Sequence, residues 1–194
     1  MAIRFTKMHG LGNDFMVIDA INQSLNLDAE QVRQLADRHV GVGFDQLLLV
    51  EKPQGDEAEF RYRIFNADGG EVEQCGNGAR CFAVFVRDEG LTASTTIPVE
   101  TAGGLIRLQV NDNGEVTVDM GEPDFSPASL PFSAEPTDGY YMLTQDANEY
   151  RLGVVSMGNP HAVLQVDSVE STDVATIGAQ IGASPRFPQG VNVG

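Results

Sequence analysis

A glycine-rich segment places one cysteine at the predicted start of an apolar helix. Residues 66–81 read Asn-Ala-Asp-Gly-Gly-Glu-Val-Glu-Gln-Cys-Gly-Asn-Gly-Ala-Arg-Cys, so Cys75 directly precedes Gly76-Asn77-Gly78. Backbone N–H groups at a helix start stabilise the anion of a thiol, and they can also hold a substrate carboxylate beside the sulfur. The segment therefore predicts a reactive thiol next to an anion-binding site.

The two cysteines of the chain have different expected roles. Most free cysteines are small buried hydrophobes, but the glycines and Asn77 around Cys75 argue against simple core packing. On a helix, Cys81 lies roughly 9 Å further along the axis and about 240° around it, so the two sulfurs cannot flank one substrate atom. We predict that Cys75 is functional and that Cys81 is a core residue.

No metal or cofactor motif accompanies this segment. Two cysteines at this spacing and three scattered histidines do not form a closed zinc ligand set. Gly76-Asn77-Gly78 lacks both the lysine of a phosphate-binding loop and the spacing of a dinucleotide fingerprint. The residues therefore argue against a zinc site and against a nucleotide-binding loop.

Further polar candidates lie in loops or at the edges of predicted strands. Each asparagine among them, taken alone, is more typical of a turn than of a site. His161 follows Asn159-Pro160 directly, and it either tunes a nearby thiol or has a structural role. The other candidates are Asn13, Gln46, Asn66, Asn159 and Asn192.

The elements that must position these residues follow from apolar periodicity. Asp28 and Gln31 form a capping box that predicts a helix ending at residues 41–43. Short strands are predicted at 46–51 and 60–64, and residues 79–90 predict an enclosed helix with Gly90 as its C-terminal cap. Asn113-Gly114 predicts a hairpin between strands 105–110 and 115–120.

A proline-rich stretch predicts a domain boundary. We place a first domain at residues 1–121 and a second at 122–194, which is predicted to carry a helix at 171–181. Alternating apolar residues at 191–194 are cut off without a cap, so we expect the second domain to be incomplete; a naturally short domain is the alternative. The four prolines are Pro123, Pro127, Pro131 and Pro136.

The acidic balance of the chain excludes some partners. Twelve basic and 28 acidic residues give a net charge of −16, which argues against nucleic acid or an anionic membrane, since both need a basic surface. No apolar run approaches the roughly 20 residues of a membrane helix, and the amino terminus does not resemble a signal peptide. We expect a cytoplasmic protein with reduced thiols.

Five motifs together span nearly the whole chain. They are His-Gly-Leu-Gly-Asn-Asp-Phe at 9–15, Gly-Val-Gly-Phe-Asp-Gln at 41–46, Phe-Asn-Ala-Asp-Gly at 65–69, Cys-Gly-Asn-Gly-Ala-Arg-Cys at 75–81 and Gly-Asn-Pro-His at 158–161. Because these motifs occur in the order seen in diaminopimelate epimerases, the sequence resembles that family.

The resemblance implies an isomerase that converts LL-diaminopimelate to the meso form, for lysine and peptidoglycan precursor synthesis. It implies that no cofactor takes part, neither pyridoxal phosphate nor a metal. It implies a mixed α/β fold of two similar domains, each a curved mixed sheet wrapped around a central helix. The active site would lie in the cleft between the domains. The full-length protein would be a homodimer whose other partner is its small-molecule substrate.

The resemblance also implies roles for single residues. Cys75 would be one of two catalytic cysteines, Gly76 and Asn77 would donate backbone N–H groups to the reacting carboxylate, and His161 would adjust thiol acidity. Gln46 would line the site. Further substrate contacts would come from Asn13, Asn66, Asn159 and Asn192.

One departure from the family pattern concerns the second catalytic cysteine. In the family this residue follows a Glu-Arg pair in a later glycine-rich loop, and neither feature occurs in the 194 residues. We therefore expect the full-length protein to be an epimerase and this chain alone to be catalytically incomplete.

Two other functions remain open from the residues alone. One is a related cofactor-independent racemase acting on another amino acid, such as a proline-type substrate. The other is a non-catalytic module that binds a small zwitterion or a partner chain. Rapid, substrate-protected alkylation of Cys75 would indicate catalysis, whereas an inert Cys75 would indicate a binding or structural role.

Overall fold

The computed structural model describes residues 2–73, 75–126, 139–145, 148–188 and 190–194, which form two compact units, 1–120 and 121–194. Of the predicted boundary prolines, Pro127, Pro131 and Pro136 lie outside the described residues. The elements are β1 (Thr6–Gly10), β2 (Asn13–Asp19), α1 (Ala29–Ala36), β3 (Gln46–Glu51), β4 (Phe60–Asn66), β5 (Glu71–Val72), α2 (Gly76–Asp88), β6 (Thr96–Thr101), β7 (Gly104–Val110), β8 (Val116–Asp119), β9 (Tyr141–Gln145), β10 (Asn148–Ser156), β11 (Pro160–Leu164), α3 (Val174–Gly182) and β12 (Asn192–Val193).

The first unit is built on a mixed sheet. Its strand order is β1-β2-β3-β4-β6-β7-β8, with β5 paired to β4. The β2–β3 and β4–β6 pairs are parallel and the other pairs are antiparallel. The β7–β8 hairpin turns at Gly114, whose φ is +83°, so the hairpin predicted from Asn113-Gly114 is confirmed.

Helix α2 lies at the centre of this unit. Its residues Phe82, Ala83 and Val86 are fully buried, and Phe82 packs edge-on against Phe60 and at a tilt against Tyr62, both of β4. The helix contacts strands at both ends of the sheet order, β1 and β2 as well as β7 and β8, so the sheet curls around it. The enclosed helix predicted from residues 79–90 is confirmed.

Helix α1 covers the opposite face of the sheet. Asp28 caps it and forms the predicted capping box with Gln31, while Val32 packs with Met16 and Leu47. The helix ends at Ala36, not at the predicted glycine loop. Residues 41–44 instead fold back, so that the N–H groups of residues 42–44 donate to the last carbonyls of the helix. This fold-back brings Gly41 so close that a Cβ would lie 2.3 Å from the Gln34 carbonyl oxygen.

The second unit has a smaller mixed sheet and one helix. Its strand order is β12-β11-β10-β9, in which only the β11–β12 pair is parallel among the described pairs. Ile181 of α3 packs with Leu143, Leu152 and Ala162 of the sheet in a separate core. The helix begins at Val174, three residues later than predicted, because Asp173 caps it through the N–H of Thr176. The predicted mixed α/β fold class is confirmed.

Candidate active site

Cys75 is the N-cap residue of α2. Its backbone is extended (φ −146°, ψ 117°), and its Sγ accepts a hydrogen bond from the N–H of Gly78 at 3.4 Å. Gly76 and Asn77 are the first two helical residues, so their N–H groups have no acceptor within the helix and are available to bind an anion at the helix start. The prediction that Cys75 begins a helix is confirmed, and the sulfur is half-buried rather than sealed in the core.

Tyr62 lies directly beneath this helix start and was not a sequence candidate. Its buried hydroxyl donates to the carbonyl oxygen of Cys75 at 3.4 Å. Burial raises the pKa of Tyr62 well above its usual value, so the phenol stays protonated as a donor. A Cβ on Gly78 would lie 2.2 Å from the Tyr62 hydroxyl oxygen, so only glycine fits at this position of the helix.

Asn13 contacts Cys75 from the start of β2. Its Oδ1 lies 3.7 Å from Cys75 Sγ, and its Nδ2 donates to Asp45 Oδ2 at 3.1 Å. The β1–β2 turn that delivers Asn13 has positive φ at both central residues, 54° at Leu11 and 86° at Gly12. Such a two-residue turn matches the twist of a hairpin and fixes Asn13 opposite Gly10.

Asp45 belongs to a charged network beside Asn13. Arg38 bridges Asp14 and Asp45 at 2.7 and 2.9 Å, and Lys7 pairs with Asp14 at 2.5 Å. Arg38, and then Lys7, hold the pKa of the Asp14 carboxyl far below its usual range. This network links the loop after α1 to β1 and β2, and it joins residues too distant in sequence for periodicity to reveal.

Gln46 and Asn66 are brought together by strand register. They are direct partners in the β3–β4 pair, and Gln46 Nε2 donates to Asn66 Oδ1 at 2.8 Å. Among the described residues, no group hydrogen-bonds to the buried Gln46 Oε1. A buried acceptor of this kind costs free energy unless a ligand or water supplies a donor, so this amide suits a ligand-facing position.

The second unit holds a separate cluster of three predicted site residues. Asn159 Oδ1 lies 3.0 Å from His161 Nε2, and because an amide oxygen only accepts, the ring donates from Nε2. Asn192 pairs with His161 across β11 and β12, and its Nδ2 donates to the carbonyl oxygen of Pro160 at 3.2 Å. The parallel β11–β12 pair therefore brings together residues 31 positions apart in sequence.

Cys81 is unsuited to act beside Cys75. It is only 5% exposed among the core residues around α2, and burial raises the pKa of its thiol. A thiol with these properties is a poor base at neutral pH. The prediction that Cys81 is a core residue is confirmed.

Two observations concern regions away from these clusters. A surface groove of about 440 Å³ lies between residues 3–6 and the C-terminal end of α2, and it contains none of the predicted site residues. Each helix in the described part of the chain is too short or too polar to span a lipid bilayer.

The fold resembles those of solved racemases and epimerases. A hydroxyproline epimerase from Agrobacterium vitis matches 96% of this chain with a TM-score of 0.66 at 17% identity, over 64% of its own length. A probable proline racemase from Agrobacterium radiobacter matches 93% of the chain with a TM-score of 0.64 at 18% identity, over 57% of its own length. At such low identity these structures establish the fold alone.

Sequence comparison identifies the family. The family model described as diaminopimelate epimerase matches residues 5–126. Proteins named diaminopimelate epimerase match all of this chain, at 62% identity in Thioalkalivibrio sulfidiphilus, 59% in Nitrosomonas europaea and 57% in Stutzerimonas stutzeri. The chain spans 70% of the length of each of these relatives. The family inferred from the five motifs is confirmed, and the chain belongs to the diaminopimelate epimerase family of isomerases.

Proposed function

We propose that this chain supplies one half of a two-base epimerase that converts LL-diaminopimelate to meso-diaminopimelate, with Cys75 as one of the two bases. The observation that carries the proposal is the N-cap geometry of Cys75. Its sulfur accepts from the Gly78 N–H and is half-buried beside the first two N–H groups of α2. A base and an anion site thus occur together.

The reaction needs both of these features. The α-proton of an amino acid is too weakly acidic for a free thiolate unless the carbanion is stabilised, and without an imine cofactor the donors must be aimed at the carboxylate. We assign this role to the N–H groups of Gly76 and Asn77. The Cys75 thiolate removes the α-proton as the electron pair moves into the carboxylate, and an acid on the opposite face returns a proton to carbon.

Substrate binding is assigned to the amide side chains. Asn13 and the Gln46–Asn66 pair lie in the first unit, and Asn159 and Asn192 lie in the second. An amide both donates and accepts, so it matches an ammonium and a carboxylate together. We assign His161 to adjusting the acidity of a thiol, because its ring is already oriented by Asn159.

Cys81 cannot supply the opposing base, because it is buried in the core around α2. We therefore propose that the second catalytic thiol lies outside these 194 residues. The wider role in lysine and peptidoglycan precursor synthesis, the cytoplasmic location and a homodimer are proposed from the family alone.

NMR spectroscopy of the ¹⁵N-labelled chain tests substrate recognition. We expect LL-diaminopimelate to shift the backbone amide signals of Gly76, Asn77 and Gly78, and proline to leave them unchanged. We expect this chain not to convert LL-diaminopimelate to the meso form, as measured by chiral chromatography. Conversion at an enzymatic rate would contradict the two-thiol argument, and amide shifts produced by proline alone would favour a proline-type racemase.

A further inference from the structure

We infer that Asp45 is a positioning residue that sets the orientation of the Asn13 amide toward Cys75. The inference rests on the proposed role of Cys75 and adds a residue to which the family resemblance assigned no function. Asp45 Oδ2 accepts from Asn13 Nδ2 at 3.1 Å, and Asn13 Oδ1 lies 3.7 Å from Cys75 Sγ.

The amide of Asn13 has two ends of opposite polarity. Either end can face the sulfur if the amide rotates by about half a turn, and the choice decides whether the sulfur meets an acceptor or a donor. A carboxylate only accepts, so Asp45 selects the orientation in which Nδ2 points to it and Oδ1 points to the thiol. If Asp45 were removed, the contact between Asn13 and Cys75 alone would not favour one orientation of the amide over the other.

Asp45 is itself held in place from two sides. Its Oδ2 also accepts from the N–H of Asp14 at 3.0 Å, and its Oδ1 pairs with Arg38 at 2.9 Å. Its own N–H donates to Asp14 Oδ1 at 2.9 Å. The carboxylate therefore has one fixed geometry, and the Arg38 contact occupies the oxygen that does not face Asn13.

The orientation has a chemical consequence for Cys75. Oδ1 of Asn13 accepts from the S–H at 3.7 Å, and the Gly78 N–H donates to the sulfur at 3.4 Å. The sulfur therefore meets one acceptor and one donor. Rotation of the amide would present Nδ2 to the sulfur and leave it facing two donors.

The test is a double-mutant cycle on the alkylation rate of Cys75 in the 194-residue chain, measured by mass spectrometry of the Cys75 peptide without substrate. We expect Asp45→Ala and Asn13→Ala each to speed alkylation roughly 2- to 5-fold, the size of one weak hydrogen bond. In the Asn13→Ala background, Asp45→Ala should add nothing. Asp56→Ala is the control, because it removes an exposed loop carboxylate of the same unit and should leave the rate unchanged.

Three outcomes would overturn the inference. The first is an unchanged rate in Asp45→Ala, and the second is an effect of Asp45→Ala that persists without Asn13, since the carboxylate would then act directly. The third needs no variant that might fail to fold: in the wild-type chain, one Asn13 Nδ2 proton should exchange slowly with solvent, and rapid exchange of both protons would contradict the hydrogen bond. Because no substrate is present, failure here leaves the proposed epimerase function standing.

Discussion

At the scale of single residues, the surroundings of Cys75 combine a reactive position with a rigid support. The sulfur meets one donor, the Gly78 N–H, and one acceptor, Asn13 Oδ1. The backbone carbonyl of Cys75 is in contact with the buried hydroxyl of Tyr62, and the absence of a side chain on Gly78 leaves room for that hydroxyl. Gly78 therefore matters for packing as well as for its N–H.

The tight fit between Gly78 and Tyr62 gives the first prediction. Gly78→Ala should lower the free energy of unfolding by about 2 kcal/mol, because its Cβ would overlap the Tyr62 hydroxyl in a closely packed core. Adding Tyr62→Phe should recover part of this loss, since the nearest remaining contacts of the Cβ, on Leu48 and Phe15, are at 3.4 Å. Urea unfolding of both variants measures the effect.

A matched control for this prediction is Gly55→Ala. A Cβ at Gly55 meets no atom within 4 Å, so the free energy of unfolding should change little. Equal losses in Gly55→Ala and Gly78→Ala, or no recovery on adding Tyr62→Phe, would show that the hydroxyl does not require the glycine.

At the scale of elements, the candidate residues depend on how strands and loops are joined. Gln46 and Asn66 meet because β3 and β4 pair in that register, and Asn13 reaches Cys75 because the β1–β2 turn ends beside the start of α2. The loop after α1 is linked to β2 by Arg38, which binds the carboxylates of Asp14 and Asp45. These strand pairings, turns and ion pairs hold the candidate site residues of the first unit in place.

The Asp14 ion pairs predict a pH-dependent contribution to stability. Arg38 lowers the folded-state pKa of Asp14 below its unfolded value, so the stabilisation is complete above the unfolded pKa of about 3.9. It is lost progressively as the pH falls from there through the folded-state pKa. Asp14→Asn should therefore destabilise the chain fully at pH 7 and 5 and somewhat less at pH 3, where the loss of the contribution has begun but is not complete.

Urea unfolding of the wild type and Asp14→Asn at pH 7, 5 and 3 measures how their difference in the free energy of unfolding changes with pH. Asp56→Asn is the control, because Asp56 lies in an exposed loop of the same unit. A difference between wild type and Asp14→Asn that stays constant or grows on acidification would contradict the ion-pair account.

At the scale of the whole molecule, the sequence predicts the elements better than the contacts between them. The capping box at Asp28, the helix after Cys75 and the Asn113-Gly114 turn are local patterns, so each was predictable from a few neighbouring residues. The family followed from five ordered motifs, and comparison with relatives confirms it. The predicted end of α1 was wrong. Residues 41–44 fold back because the N–H groups of residues 42–44 donate to the last carbonyls of the helix, and the periodicity of apolar residues does not reveal such hydrogen bonds.

The site illustrates the same limit. Asp45 and Asn13 are 32 positions apart, and Tyr62 and Cys75 are 13 apart on different elements, so neither contact leaves a local signature. Asp45 stands inside a motif used to recognise the family, yet its type alone did not reveal a role. The role of a residue that acts on another side chain can be inferred only from the structure, which shows that the two side chains are in contact.

The most direct test of the central claim is the alkylation of Cys75 by iodoacetamide with and without LL-diaminopimelate, followed by mass spectrometry. Cys81 serves as an internal reference, because burial limits access and raises the pKa of its thiol. We predict that Cys75 reacts much faster than Cys81 and that diaminopimelate, but not proline, slows its reaction. A Cys75 that reacts no faster than Cys81, or whose rate is unchanged by saturating diaminopimelate, would contradict its assignment as a catalytic thiol.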